Sequence, residues 1–240
     1  IEISEKKKTS FNLWTRLMSL KKGKFNHNDK YFMSLALNLA RDRAGLTGEN
    51  PPVGCIIVKN NEIISYGQTS INGRPHAEYN AIKSCKKNLK GSKMYVTLEP
   101  CCHFAKTPPC TNIIINSKIK EVFFSIEDPD SRTKSKSFNI FEKKKIKVRA
   151  GLLKNEAKKI YKPYIYNKNN KLPFVTGKIA TSKDNFIYSK NRTKISNEYS
   201  HNINHLLRFR NDSILISNRT LNIDNPKLNC RIYGLKNFSP

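Results

Sequence analysis

Segments with helical and extended hydrophobic spacing alternate along the first part of the chain. Apolar residues at positions 32, 35, 36, 39 and 40 recur every three to four residues and predict a helix over Asn28–Ala44, with Gly45 as its stop. A short apolar run predicts a buried strand at Val53–Val58. After a polar turn, a second strand is predicted at Glu62–Tyr66.

The same alternation continues to residue 150. The pattern predicts helices at His76–Leu89, Cys110–Asn116 and Ser135–Lys145, and strands at Met94–Leu98, Glu121–Ile126 and Ile146–Ala150. Because strands that alternate with helices are typical of α/β proteins, we predict a three-layer α/β/α domain over residues 28–162.

A polar stretch rich in Tyr, Asn and Lys follows at 163–172, and we interpret it as a linker. Beyond it, the pattern predicts two strands, Phe174–Ala180 and Ser213–Ser217, and a helix between them at Asn197–Arg210. We therefore expect a second α/β domain over 173–240. Its 68 residues are few for a complete cofactor-binding domain, so we interpret it as truncated.

The first residues do not share this pattern. Residues 1–27 are basic and only weakly amphipathic, and the chain begins at Ile1. They are compatible with a transit peptide, a tail from an upstream segment, or a mistranslated leader with the true start at Met18. We favour the last interpretation and expect 1–27 to be an extension outside the domain.

The charge is strongly basic, at +27 from 45 Lys and Arg against 18 Asp and Glu. Such an excess can indicate a nucleic-acid, membrane or phosphorylated partner. The lysines, however, are scattered along the chain, and the sequence contains no recognisable RNA-binding motif. No apolar run approaches the roughly 20 residues of a membrane helix. We therefore expect neither a nucleic-acid nor a membrane partner, while a homo-oligomer stays compatible with the sequence.

Six cysteines, at 55, 85, 101, 102, 110 and 230, do not form the spacing of a disulfide framework in a chain of this length. No complete secretory signal is present, so we predict a reducing, cytoplasmic location. Cys55 and Cys85 are interpreted as core residues, and Cys102 as a small buried or loop residue.

Three residues have the chemistry and order of a metal site. Cys101 follows His76 by 25 residues, and Cys110 follows Cys101 by nine, each cysteine preceded by proline. One imidazole and two thiolates leave a fourth position open, which is typical of catalytic zinc, whereas a structural site normally closes with a fourth Cys or His. We therefore predict catalytic zinc on His76, Cys101 and Cys110.

Glu78 is the candidate proton carrier. It lies two residues after His76, beside the predicted metal without being needed as a ligand. A bound zinc lowers the pKa of its water to near neutrality, and a neighbouring carboxylate can then move protons between water, substrate and leaving group. The motif H-x-E…P-C-x-x-C is the signature of zinc deaminases that act on nucleobases, although here eight residues separate the cysteines instead of two.

The motif as a whole resembles a known family. His76-Ala77-Glu78, followed by the run Tyr95 to Cys110 with His103 and Thr107-Pro108-Pro109 between the cysteines, closely resembles the bifunctional riboflavin-biosynthesis deaminase-reductases. This resemblance implies a cytidine-deaminase-like domain that removes the C2 amino group of 2,5-diamino-6-(5-phosphoribosylamino)pyrimidin-4-one. It also implies a following dihydrofolate-reductase-like domain that reduces the ribosyl group with NADPH.

The resemblance also implies substrate contacts in the first domain, and these are Asn50, His103, Lys106 and Asp128. A lysine suits a phosphorylated substrate, although Lys106 is also compatible with a solvated surface position. Asn50 is also a common turn former before proline. The family usually has Asn at the position of Asp130 and glycines within Thr133–Ser137.

In the second domain the resemblance implies that Arg208, Leu228 and Arg231 bind the substrate and its phosphate, while Thr181, Thr220 and Asp224 contact NADPH. The sequence departs from the family here. Asn185 replaces a glycine, Lys194 replaces a tryptophan, and Ser217-Asn218-Arg219 replaces glycines before Thr220. Side chains would meet a dinucleotide at these positions, so we expect deamination without reduction.

Three alternatives remain open. The high charge favours editing of tRNA or another nucleobase substrate, whereas the wide cysteine gap and the reductase-like segment disfavour it. An enzyme with deaminase activity alone is the second alternative. A zinc-stabilised binding module without catalysis is the third, and the intact Glu78 disfavours it.

Overall fold

The computed structural model describes residues 25–187 and 195–236. The chain divides into two compact units, with the boundary between Pro173 and Phe174. Residues 1–24 of the predicted extension and Lys194 lie outside the described residues. None of the described helices is both long enough and apolar enough to cross a bilayer.

Five α-helices and five strands follow one another in the described part of the first unit, besides a short 3-10 turn at Ile71–Gly73. They are α1 (His27–Asp42), β1 (Gly54–Lys59), β2 (Glu62–Gln68), α2 (Ala77–Ser84), β3 (Lys93–Leu98), α3 (Cys110–Asn116), β4 (Glu121–Ile126), α4 (Lys136–Lys143), β5 (Lys147–Ala150) and α5 (Lys154–Asn170) — of which α5 was not predicted. The predicted helix from His76 ends earlier than expected, at Ser84.

The five strands form one mixed sheet in the order β2–β1–β3–β4–β5, and five α-helices in all surround it. Strand β1 runs antiparallel to β2 and β3, while β3, β4 and β5 are parallel. Cys55 of β1 pairs with Gly67 on one side and Val96 on the other. The carboxyl ends of β3 and β4 therefore meet at one edge of the sheet, which is where α/β proteins commonly bind ligands.

Two glycines show that helices cover both faces of this sheet. A side chain at Gly54 would overlap the carbonyl oxygen of Ala36 in α1, whereas one at Gly67 would overlap the backbone of α2. Because Gly67 pairs with Cys55, the neighbour of Gly54, the two glycines face opposite sides. Helix α5 contacts α1, and α3 contacts both α2 and α4, which completes the predicted three-layer arrangement.

The start of α1 is fixed by a capping box that ties it to the sheet. The Asn26 side chain accepts from the amide of Asp29 at 2.7 Å, and the Asp29 side chain accepts from the amide of Asn26 at 3.1 Å. The other Asp29 oxygen accepts from the Tyr95 hydroxyl at 2.8 Å. Phe25 packs against the same core, so residues 25–27 form part of the domain and not of an extension.

Gly67→Ala is expected to destabilise the protein by about 1–3 kcal/mol, because the added methyl group cannot be accommodated between β2 and α2. The measurement is denaturant unfolding followed by circular dichroism. Gly177→Ala is the matched control, since a methyl group there would meet open space. Equal unfolding midpoints for the two variants would contradict the close approach of β2 and α2.

The predicted linker at 163–172 is wrong for most of its length, because α5 continues through Pro163 to Asn170. Proline removes one helical hydrogen bond, but packing of the helix offsets that loss. Ala157 and Tyr161 are buried, and Ile160, Tyr164 and Ile165 pack against the core of the first unit. Their spacing is helical, and the high Lys and Asn content of this segment obscured it.

In the second unit the described residues contain two helices, α6 (Glu198–Arg210) and α7 (Asn218–Asp224). Helix α6 was predicted, but the predicted strands at Phe174–Ala180 and Ser213–Ser217 are wrong, since both segments lack strand pairing. A strand needs a neighbouring backbone for its hydrogen bonds, and the described part of this unit supplies no such partner. The start of the predicted second α/β domain thus contains helices and extended segments.

Candidate active site

Three secondary-structure ends bring the predicted metal ligands together. His76 is the residue that caps the N-terminus of α2, and Cys110 is the first residue of α3. Cys101 lies in the loop that leaves the carboxyl end of β3. Within the described residues these three form a group whose ligand atoms all lie within 4.8 Å of one another.

The distances fit a tetrahedral zinc site. The His76 Nδ1 atom lies 3.5 Å from the Cys101 sulfur and 3.4 Å from the Cys110 sulfur. Zinc–sulfur and zinc–nitrogen bonds of ordinary length place adjacent tetrahedral ligands about 3.5 Å apart. The donor set of one imidazole and two thiols also suits zinc, and Nδ1 is the ring nitrogen that would bind it.

The surroundings of Cys101 favour its thiolate. The amide of Cys110 donates to the Cys101 sulfur at 3.3 Å. Hydrogen bonds from the Cys110 thiol and from His76 lower the pKa of Cys101 to about 4. The pKa of Cys110 is raised, because its thiol donates to Cys101 and is buried. A bound zinc ion would hold both sulfurs as thiolates.

Glu78 lies next to this group in a nearly water-free position. Its side chain is 4% exposed, and its carboxyl is within hydrogen-bonding reach of the Cys110 sulfur. Burial raises the pKa of Glu78 to about 7, while the charge of His76 opposes that rise. A carboxyl with a pKa near neutrality can both accept and release a proton, which is the property of a general acid and base.

The loop between the two cysteines is held from both sides. The ring Nδ1 of His103 lies 3.1 Å from the Thr133 hydroxyl. The Arg74 guanidinium donates to the Thr107 hydroxyl, which ties the loop to the segment before His76. Lys106 is exposed in the same loop. His103 is therefore oriented by the protein, whereas Lys106 is free to reach into solvent.

Asn50 and Asp128 lie in two further segments near the site. The Asn50 side chain packs against Gly73, three residues before His76, where a side chain on Gly73 would overlap it. Asp128 is buried and accepts from the Tyr164 hydroxyl at 2.9 Å, and burial raises its pKa. Both side chains are thus held in place by their neighbours.

Asp130 stands where the resembling family usually has asparagine, and the structure shows what the charge does. It accepts two hydrogen bonds from the Arg132 guanidinium, at 2.9 and 2.7 Å, and one from Lys168 at 3.3 Å. These two cations lower the pKa of Asp130 well below its usual range. Its carboxylate is therefore occupied by ion pairs inside the protein.

Comparison with known proteins agrees with this geometry. Residues 26–126 match the cytidine and deoxycytidylate deaminase zinc-binding region. The riboflavin biosynthesis protein RibD of Bacillus amyloliquefaciens is 36% identical over 206 residues, covering 85% of this chain and 56% of that protein. RibD of Chlamydia trachomatis is 37% identical over 203 residues, covering 84% and 54%.

A solved structure shows the same relation. The diaminohydroxyphosphoribosylaminopyrimidine deaminase/5-amino-6-(5-phosphoribosylamino)uracil reductase of Thermotoga maritima has a TM-score of 0.82 and 36% identity, and the match covers 87% of this chain and 60% of that one. The chain is a homologue of these RibD proteins. It spans little more than half the length of the RibD proteins that it matches.

In the second unit of this RibD homologue, two predicted phosphate ligands lie close together. Arg208 donates to the carbonyl of Asn229 at 3.2 Å, and Arg231 donates to the side chain of the same residue at 3.1 Å. Burial and the charge of Arg231 lower the pKa of Arg208. Leu228 adjoins Asn229 in a left-handed conformation, with a φ of 52°.

The predicted NADPH contacts are distributed over two segments of the second unit. Thr181 is exposed in an extended stretch. Thr220 and Asp224 lie one turn apart on α7, and the Thr220 amide donates to the Ser217 side chain that caps this helix. Ser217, which replaces a family glycine, therefore acts here as a helix cap.

Glu99 is a buried residue of this RibD homologue that the sequence motif did not identify as functional. The Glu99 carboxylate accepts hydrogen bonds from three residues of the segment 128–137 and is 2% exposed. Its position in the run Glu99-Pro100-Cys101 was the available signal, since a charged residue directly after a buried strand needs partners.

Proposed function

We propose that this chain catalyses the hydrolytic deamination of 2,5-diamino-6-(5-phosphoribosylamino)pyrimidin-4-one. In this reaction water replaces the amino group at C2, the water oxygen becomes the C2 carbonyl oxygen, and ammonia leaves. The proposal takes its substrate from the name of the Thermotoga maritima relative and its chemistry from the site of this chain.

The observation that carries the proposal is the buried carboxyl of Glu78 beside three zinc-type ligands. A zinc ion that only stabilises a fold normally has four protein ligands and needs no acid next to it. Here His76, Cys101 and Cys110 provide three ligands, and Glu78 adds a proton acceptor with a pKa of about 7. This combination favours hydrolysis over a purely structural role.

Glu78 carries the protons in this scheme. Zinc, when bound by the three ligands, supplies an acidified water for attack on C2. Glu78 accepts a proton from that water and delivers it to the adjacent ring nitrogen of the pyrimidine. Glu78 then accepts the second proton of the water from the hydroxyl group formed on C2 and passes it to the amino group, which leaves as ammonia while the C2 carbonyl forms. Because Glu78 is buried, bulk water does not compete for these protons.

We assign substrate binding to four residues around this group. Asn50 offers an amide to the edge of the pyrimidine, and Asp128 offers a buried carboxyl. His103 is oriented by Thr133 to offer its other ring nitrogen. Lys106 is exposed in the same loop, and we expect it to pair with the substrate phosphate.

The test supplies the chain with this substrate and NADPH, and it follows ammonia and the nicotinamide absorbance separately. We expect ammonia release without NADPH oxidation, since the described part of the second unit has no strand pairing to form a sheet beside a dinucleotide. Deoxycytidine monophosphate and an adenosine-containing tRNA stem-loop serve as alternative substrates, and we expect neither to release ammonia.

For each of these measurements, one outcome would contradict the expected result. An absence of ammonia from the phosphoribosylaminopyrimidine would overturn the proposed reaction. Ammonia from the tRNA stem-loop would favour nucleic-acid editing. Consumption of NADPH that depends on the deaminated product would show that the second unit is competent in reduction.

A further inference from the structure

We propose that Glu99 is a positioning residue that holds the segment 128–137 against the zinc loop and thereby orients His103 for substrate binding. The assignment of His103 to substrate rests on the proposed function. The attachment of the segment by Glu99 stands on the contacts of the protein alone.

Four donors converge on the Glu99 carboxylate. Oε2 accepts from the amides of Asp128 and Ser135, at 3.2 and 3.0 Å. Oε1 accepts from the amide and the hydroxyl of Ser137, at 3.2 and 2.7 Å. All four donors belong to the segment 128–137. The single buried side chain of Glu99 therefore accepts all four of these hydrogen bonds. Hydrogen bonds to a buried carboxylate are among the stronger ones in proteins.

The backbone of Glu99 is held by a hydrogen bond to the neighbouring strand β4. The Glu99 amide donates to the carbonyl of Ile126 at 3.0 Å, which extends the pairing of β3 with β4. Pro100 follows, and Cys101 is the next residue. Glu99 therefore fixes the segment 128–137 to the same strand end that presents a predicted zinc ligand.

The segment in turn holds the substrate residues. Thr133 is fully buried and its hydroxyl lies 3.1 Å from the His103 ring. Asp128 is the first residue of the segment, and its amide donates a hydrogen bond to Glu99. A displacement of the segment would therefore move the partner of His103 and the Asp128 carboxyl together, while His76 and Cys110 stay on their own helices.

The segment needs these hydrogen bonds because its backbone adopts an energetically unfavourable conformation. Ser135 has a left-handed φ of 59°, which a residue with a side chain rarely adopts. Strained positions of this kind persist where several neighbouring contacts determine them together. The amides of Ser135 and Ser137 donate hydrogen bonds to the Glu99 carboxylate, and these bonds provide such contacts.

The experiment compares Glu99→Gln and Ser137→Ala with the parent protein by amide hydrogen exchange and by steady-state kinetics. Glutamine keeps the size of Glu99 but turns an NH2 group towards amide donors, whereas Ser137→Ala removes a single hydrogen bond. In Glu99→Gln we expect exchange at Asp128, Ser135 and Ser137 to accelerate at least about tenfold, with β4 amides unchanged. We expect Ser137→Ala to accelerate exchange by a smaller factor.

The kinetic readout separates positioning from general stability. We expect Glu99→Gln to raise KM about tenfold with kcat within about threefold and with zinc retained, because substrate contacts move while Glu78 does not. Unchanged exchange in the segment would overturn the proposal. So would equal acceleration in β4, or a fall in kcat at constant KM, since either indicates a different role.

Two further outcomes are covered by the design. If Glu99→Gln does not fold, Ser137→Ala decides the question, because unchanged exchange at Ser135 and unchanged KM in that variant contradict the proposal. If the parent releases no ammonia from the phosphoribosylaminopyrimidine, the proposed function fails. Exchange in the segment then still tests the attachment by Glu99, and the failure of one hypothesis is distinguished from that of the other.

Discussion

Glu78→Gln is expected to slow deamination by at least about a hundredfold while zinc content and folding stay unchanged. Glutamine has nearly the same shape as glutamate, so the buried site, which is 4% exposed, keeps its packing. The amide cannot accept a proton from water at neutral pH. Ammonia release, zinc content per chain and circular dichroism are the three measurements.

The matched control for this variant is Glu62→Gln, which changes an exposed glutamate on β2 in the same way. We expect this control to keep the parent rate. A parent rate in Glu78→Gln would remove the proton-carrying role of Glu78. A loss of zinc together with the rate would instead indicate that Glu78 supports the metal site.

The first unit was largely predictable because its local patterns agree with its tertiary structure. The apolar runs at β1, β3 and β4 are buried on both faces of the sheet, which gives continuous hydrophobic strands in the sequence. Helix α3 was predicted at its observed bounds, Cys110–Asn116. In these elements the local hydrophobic pattern was sufficient to predict the structure.

The errors arose where tertiary contacts outweigh local composition. Pro163 and a high Lys and Asn content indicated a linker, but Tyr161 is buried and Tyr164 bonds Asp128, so the helix α5 persists. The β-branched run at Phe174–Ala180 indicated a strand, but strand structure depends on a partner that no local pattern reveals.

In the site, too, some residues were predictable from the sequence and others were not. The zinc ligands and Glu78 were predictable because their chemistry requires fixed residue types in a fixed order. The role of Glu99 was not, since its four hydrogen bonds come from residues about 30 to 40 positions later in the chain. The role of Ser137 is likewise explained only by the structure, where its hydroxyl donates to Glu99.

The metal site gives the second large expected effect. We expect the purified protein to contain about one zinc ion per chain, and Cys101→Ser and Cys110→Ser each to lose both the metal and deamination. A serine hydroxyl stays protonated at neutral pH and is a poor zinc ligand, whereas the Cys101 thiol has a pKa of about 4. Metal analysis after purification without chelators is the measurement.

Cys102→Ser is the matched control for the metal site, because it changes the neighbouring sulfur. The Cys102 sulfur lies 3.5 Å from the carbonyl of Arg132, and it is outside the group formed by His76, Cys101 and Cys110. We therefore expect Cys102→Ser to retain zinc and deamination. A protein without zinc, or a loss of zinc in Cys102→Ser equal to that in Cys110→Ser, would contradict the three-ligand site.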